Sequence, residues 1–293
     1  MRKKIPEIKA TWKTIDRAIE RAAKLIRNRP GSDYRNTSID KIVDQFIYRG
    51  QSDATWKLET TLERNVSRQV DLDEYESFAC EIKNQMKGVA SKTPKNMKKR
   101  HWMDSNGYRL KKEQALLNQT LLSHLRHYGL PSPLLDWSTS RYVAAFFAFS
   151  EMSETSKSVA IYLHLPPLKR KSASPFNAAP GIHRVKPGYN PNQRHYDQRC
   201  VHTVSIQSIE KKESFVTHEE AVCGSFLAKI EIKATERDSV MKDLREMGIS
   251  RFKLYGGDDS LVKDLWDEKK AGIKAPRESK QIPSGVIGRL DAK

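Results

Sequence analysis

The sequence predicts an α+β fold, because alternating strand-like stretches and helical stretches are mixed without a regular strand-helix-strand order. Its 293 residues are 38% hydrophobic, enough to bury a core and too apolar for a wholly disordered chain. The longest strongly apolar run, Val143 to Phe149, is far short of the ~20 residues of a membrane span, so no membrane association is expected.

The elements follow in order. Trp12, Ile15, Ile19, Ala22, Ala23 and Ile26 recur at steps of three and four, and Pro30-Gly31 ends the helix they define. Its other side carries Lys13, Arg17, Arg21 and Lys24. Such a helix either docks on the core with its charges in water or offers them to RNA or an inhibitory partner. Ile42 to Tyr48 reads as a strand and Gly50 to Asp53 as the turn after it. Helical periodicity covers Leu72 to Gly88 and Glu113 to His127, with a basic crossover from Lys87 to Lys112 between them. Arg141 to Ser150 reads as an apolar helix and Val159 to Leu165 as a strand. Pro166 to Asn192, rich in Pro, Gly, Ser and Lys, reads as a long surface loop. Phe226 to Ile232 is a predicted strand, Asp238 to Met247 a helix stopped by Gly248, Phe252 to Tyr255 a last strand and Asp259 to Lys269 the final helix.

Charge is concentrated at the ends. Lys and Arg number 53 against 36 Asp and Glu, a net charge of +17 that favours polyanionic partners. Residues 1–39 carry eleven basic and four acidic side chains, and residues 269–293 carry seven and two, so 12 of the 17 charges lie on the two ends. The chain therefore divides into a basic helix and linker (1–39), a folded domain (40–268) and a loosely ordered basic tail (269–293). Cys80, Cys200 and Cys223 fit neither a disulfide framework nor a zinc pattern. With no apolar stretch behind the basic N-terminus, a cytoplasmic location is expected.

Common catalytic motifs are absent: no phosphate loop, dinucleotide fingerprint, nucleophile elbow or His-Glu-x-x-His occurs. His124 and His127 lack a third ligand at recognisable spacing, so no metal is expected. Asp258 and Asp259 either cap a helix after a tight turn or form an acidic nuclease site. Two segments stand out. In Phe46-Ile47-Tyr48-Arg49-Gly50-Gln51 an arginine closes an apolar strand, its planar fork suits phosphate, and the glycine would let a ligand approach the backbone. In His127-Tyr128-Gly129-Leu130-Pro131 through Leu134-Leu135-Asp136-Trp137-Ser138-Thr139-Ser140, hydroxyls and a carboxylate precede an apolar helix. Ser138 to Ser140 would cap that helix or line a pocket.

Together these segments resemble the FRG domain, a family with an Arg-Gly-Gln motif and a block close to Gln-His-Tyr-Gly-x-Pro-Thr-Arg-Leu-Leu-Asp-Trp-Thr. The corresponding residues are Tyr48-Arg49-Gly50-Gln51 with Trp56 and Leu58, and Arg126 to Ser138. Arg194, Gln198 and Cys200-Val201-His202-Thr203, then Gly248-Ile249-Ser250 through Leu261, are similar to later family stretches. The likeness spans about residues 40–268, with Tyr48 for Phe, Arg126 for Gln and Pro133 for Arg as departures.

An arginine closing a first strand and a downstream Ser-Thr-Ser are also similar to the layout of mono-ADP-ribosyltransferases. That resemblance implies a split β-sheet core with surrounding helices and NAD as the substrate. Arg49, with Gly50 and Gln51, would hold its phosphates, and Ser138 and Ser140 would orient the ribose. His127 and Tyr128 would meet the nicotinamide, and Gln198 would stand on the strand where a catalytic Glu is expected. Asp136, Glu219 and Glu220 are the candidates for the missing carboxylate. With the basic surplus, the implied activity is ADP-ribose transfer to nucleic acid, most simply RNA, by a toxin or antiphage effector held by an inhibitory antitoxin-type partner. The alternative is a nucleic-acid-binding module without catalysis.

Overall fold

The computed structural model describes residues 5–29, 32–86, 122, 125–126, 128–165, 177–185, 193–209, 212–221 and 226–274. Its strands are β1 (Glu7–Ala10), β2 (Ile47–Gln51), β3 (Leu135–Ser138), β4 (Ser158–Leu165), β5 (Asn177–Val185), β6 (Cys200–Ile209), β7 (Lys212–Phe215) and β8 (Phe226–Lys233). Its helices are α1 (Ile15–Arg27), α2 (Ile39–Val43), α3 (Thr61–Asn65), α4 (Leu72–Met86), α5 (Arg141–Ser150), α6 (Gln193–Asp197), α7 (His218–Ala221), α8 (Arg237–Glu246), α9 (Arg251–Tyr255) and α10 (Asp258–Lys274). None of the described helices is long and apolar enough to cross a membrane.

The strands form one mixed sheet in the order β1-β8-β4-β2-β3-β6-β5, with β7 also paired to β6. Only β1 and β8 run parallel. Strand β6 is long enough to serve both edges: β5 occupies one, while β3 and then β7 share the other end to end. The sheet curls. Arg184 on β5 reaches back to donate to the carbonyls of His164 on β4 (3.3 Å) and of Gln45 ahead of β2, although four places separate β5 from β4.

The side-chain period of two sorts residues between two layers. Tyr48, Ile161, Leu163, Ala228 and Ile230 pack with α1, α5 and α8 in the main core. Ile47, Leu135, Trp137, Ala160, Tyr162 and Leu227 pack with Ala54 and Leu58 on the opposite face. Within the main core Gly50 lets helix α5 lie close against β2. A Cβ at this position would fall 2.0 Å from the carbonyl oxygen of Ala144 and 2.6 Å from the amide nitrogen of Ala148. The glycine serves this close packing of helix on strand.

Several expectations need correction. Helix α1 docks on the core through Ile15, Ala18, Ile19, Ala22, Ala23 and Ile26, and β1 joins the sheet, so both pack with the elements beyond residue 39. Ile42 belongs to helix α2, started by the Ser38 side chain accepting from Lys41 N–H, and β2 runs through Gly50. Residues 177–185 form strand β5, which accommodates Pro180 through a register shift between Ala178 and Gly181. Phe252 to Tyr255 is helical, because Ser250 caps the turn and Gly256 ends it at φ +69°. Helix α10 continues to Lys274, past the expected boundary at 269. The tail from 275, the basic crossover and most of the helix expected at 113–127 lie outside the described residues.

Strand β7 yields a pH prediction. Partial burial, with help from the nearby Asp73 charge, pushes the Glu213 carboxyl up from 4.5 to about 7. The folded state thus holds a proton that the unfolded chain releases, so stability falls as pH rises from about 4.5 through about 7. Allowing for screening of a partly exposed group, urea denaturation is expected to show a loss of about 1–2 kcal/mol over this window. Glu213→Gln should flatten that dependence; an unchanged slope would refute the assignment.

Candidate functional site

The middle of the sheet is where it comes apart. Strands β2 and β3 share a single register pair, Tyr48 opposite Ser138, whereas β2 and β4 are paired at five positions. Beyond that pair the Arg49 side chain takes over from the ladder: its Nη1 donates to the carbonyl oxygen of Asp136 at 2.8 Å. A cavity of about 320 Å³, at the small end of ligand sites, opens at this split. Arg49, Gly50, Asp136 and Ser138 border it, with Phe147 and Glu151 from α5 and its C-cap, and Arg194, Gln198, Cys200 and Tyr255 from the C-terminal half.

Arg49 is the most exacting group. By register it sits opposite Tyr162 on the face of Trp137, while Tyr48, Asp136, Ser138, Cys200 and His202 share the helix-side face. It borders the cavity because the strands part beside it. Among the described residues no carboxylate pairs with it, and its Nε is buried without a hydrogen-bond partner. Burial, reinforced by the Arg64 charge, lowers its pKa to about 10, still charged at neutral pH. A buried cation in this condition is costly unless an anion reaches it.

Asp136, by contrast, is engaged. Arg126 grips both its oxygens, and His202 Nε2 lies 3.1 Å from Oδ1. Burial, with Arg126 second, lowers the pKa of His202 to about 3, so the ring beside Asp136 is neutral. Burial pushes the Cys200 thiol up to about 11.

The hydroxyls expected to meet a ribose have structural duties. Ser138 Oγ donates to the Gln198 carbonyl at 2.7 Å and accepts from Ser140 N–H at 3.0 Å. Ser140 Oγ caps α5 by accepting from Val143 N–H. Gln198 borders the cavity from the turn between α6 and β6, not from a strand, and its Nε2 donates to the Leu254 carbonyl at 3.1 Å. The next residue, Arg199, holds a left-handed backbone at φ +48°, a strained conformation at the cavity's edge.

The remaining expected site residues fall elsewhere. Gln51 donates to the Lys57 carbonyl and ties down the following loop, away from the cavity lining. Tyr128 is 64% exposed and does not border the cavity, and His127 lies outside the described residues. Glu219 and Glu220 stand on α7 away from the lining, where Glu220 accepts from Thr217. Asp258 and Asp259 open the first turn of α10, and no metal-binding group among the described residues includes them.

Sequence reasoning misses Phe147, Glu151, Arg194 and Tyr255. Arg194 stacks on Tyr255, its guanidinium carbon 4.6 Å from the ring centre. Tyr255 is set in place because Arg251 donates to the Ser150 carbonyl at 2.8 Å and binds Asp267, locking α9 and α10 against α5. The apolar period of α5 marks its buried side but gives no hint that Phe147 and the C-cap Glu151 face an opening.

Fold and site define an α+β protein whose sheet opens around a charged cavity. Residues 44–157 match the family model of the FRG domain, so the chain carries an FRG domain over that span. Arg49, Asp136, Ser138, Phe147 and Glu151 lie inside it; Arg194, Gln198, Cys200 and Tyr255 come from the chain beyond it. Among curated proteins and among solved structures, no match to the chain is found.

Proposed function

We propose that the cavity binds NAD and that the protein transfers its ADP-ribose unit to RNA. The observation that carries this reading is Arg49, a buried guanidinium at the opening of the sheet with no carboxylate partner among the described residues. A phosphate would supply its missing counter-charge. Arg194 adds a second cation at the same cavity, and Phe147 and Tyr255 offer ring surface to a base. The cavity's volume suits one nucleoside half of a dinucleotide, with the other half lying along its open side.

Transfer breaks the bond between the nicotinamide nitrogen and ribose C1′, and the base leaves neutral with the bonding pair. The acceptor oxygen or nitrogen then bonds C1′ and gives up its proton. The protein's part is orientation and charge placement. Glu151, a cavity carboxylate with no arginine partner among the described residues, can face the positive charge that develops on the ribose, whereas Asp136 is held by Arg126. The surplus of 17 positive charges favours a polyanionic acceptor.

The test is incubation with adenylate-labelled NAD and total RNA. Label should enter RNA, and Arg49→Ala should lower the rate at least about 100-fold while the melting transition is retained. Equal labelling by the variant, or none by the wild type, would overturn the proposal. A second reading is favoured by the structural use of Ser138 and Gln198, which leaves neither hydroxyl nor amide free of the scaffold. In it the domain binds RNA without catalysis. It requires salt-dependent RNA binding that Arg49→Ala leaves unchanged, together with no label transfer.

A further inference from the structure

Three donor atoms converge beside the cavity without a common assignment: a carboxylate oxygen of Asp136, Cys200 Sγ and His202 Nε2 all lie within 4.8 Å of one another. The sheet puts them there. Asp136 stands directly opposite His202 in the β3–β6 ladder, and Ser138 directly opposite Cys200, so all three donors occupy one face of two paired strands. The ladder is pinned just beyond by Thr139 N–H donating to the Arg199 carbonyl and Ser138 Oγ to that of Gln198. Sequence spacing conceals the trio, because its members come from strands joined through about sixty further residues of chain.

Two of the three separations match those of a tetrahedral metal centre. Zinc bound by a thiolate at about 2.3 Å and an imidazole at about 2.05 Å sets sulfur and nitrogen about 3.6 Å apart. For an imidazole and a carboxylate the corresponding nitrogen–oxygen distance is about 3.3 Å. Cys200 Sγ lies 3.6 Å from His202 Nε2, and His202 Nε2 lies 3.1 Å from Asp136 Oδ1. We infer that Asp136, Cys200 and His202 form a zinc site with three protein ligands and a fourth position open to the cavity.

The arginine on Asp136 is compatible with such a site. A carboxylate offers about four lone-pair positions, so Asp136 can keep Arg126 and still bind a metal. Hydrogen-bonded partners behind a ligating carboxylate are the usual way its orientation is fixed. A thiolate and a carboxylate together balance a dication, and Cys, His and Asp suit zinc above magnesium or calcium. Because Asp136 and Cys200 border the cavity, the open position would face whatever occupies it. The inference is independent of the NAD reading and is tested without turnover.

The experiment uses untagged full-length protein exchanged into buffer with one equivalent of zinc, then desalted and analysed for metal. A parallel sample receives Co²⁺, and its spectrum is recorded. The expected result is about one zinc per chain and a four-coordinate cobalt spectrum with a thiolate charge-transfer band. Cys200→Ser should remove that band, and both Cys200→Ser and Asp136→Asn should lower retained zinc at least tenfold, with Cys80→Ser unchanged. Wild-type protein that retains no metal, or a Cys200→Ser variant that keeps the cobalt band, would overturn the inference.

Discussion

Replacing Gly50 by alanine is expected to lower stability by about 3 kcal/mol, the upper end of what overpacking usually costs. The new methyl group would meet backbone atoms of α5, the Ala144 oxygen at 2.0 Å and the Ala148 nitrogen at 2.6 Å. Backbone has no rotamer to change, so α5 must shift bodily off β2. That helix brings Phe147 to the cavity and is C-capped by Glu151, and the same shift should therefore abolish label transfer as well. Urea titration followed by circular dichroism reads the effect as a lower midpoint at unchanged slope. A midpoint equal to the wild type's would show that β2 and α5 are not packed this closely in solution.

The second large effect is expected at Trp137, 3% exposed and central to the layer opposite the helices. Truncation to alanine should cost about 3–5 kcal/mol through lost packing and the cavity left behind. Phenylalanine isolates the polar part. Trp137 Nε1 donates to Thr203 Oγ1 at 2.7 Å, and the Thr203 hydroxyl is in turn hydrogen-bonded to His218 Nε2 at 2.9 Å. Trp137→Phe removes one donor from a wholly buried chain and should cost about 1–2 kcal/mol beyond the change in ring size. Adding Thr203→Val should cost less than the sum of the single changes, since the two share one network. Strict additivity in equilibrium urea denaturation would refute the coupling.

How much of the fold and site is legible in the sequence depends on whether the signal is local. Helix α5 is legible from Arg141 to Ser150, its observed limits, because an N-cap serine and a continuous apolar run mark it without outside help. The same holds for β4 and β8, whose residues alternate between the two layers. Arg49 stands out for a local reason too, as a cation at the end of an apolar strand. That no described carboxylate pairs with it is not legible, since this depends on β3 meeting β2 at one residue only. Local alternation misleads at Phe252 to Tyr255, where a capping serine and a left-handed glycine outweigh it. Composition misleads at residues 177–185, where Pro and Gly lie in a bulged strand held by β6. The Asp136–His202 pairing is invisible in principle to local reading, because only ladder register creates it.

The strand order carries a consequence for how this chain reaches its folded state. β1 lies beside β8, and Trp12 is bound by Glu236 at 2.7 Å and Asp243 at 2.8 Å, contacts spanning more than 220 positions. A ribosome delivering this chain releases the first strand long before its neighbour exists, and closing so large a loop slows assembly. Until then β1 has no partner in the sheet, and β8 arrives with an edge that, among the described strands, β1 alone covers. Strand β1 thus cannot take its place in the sheet before β8 has been made.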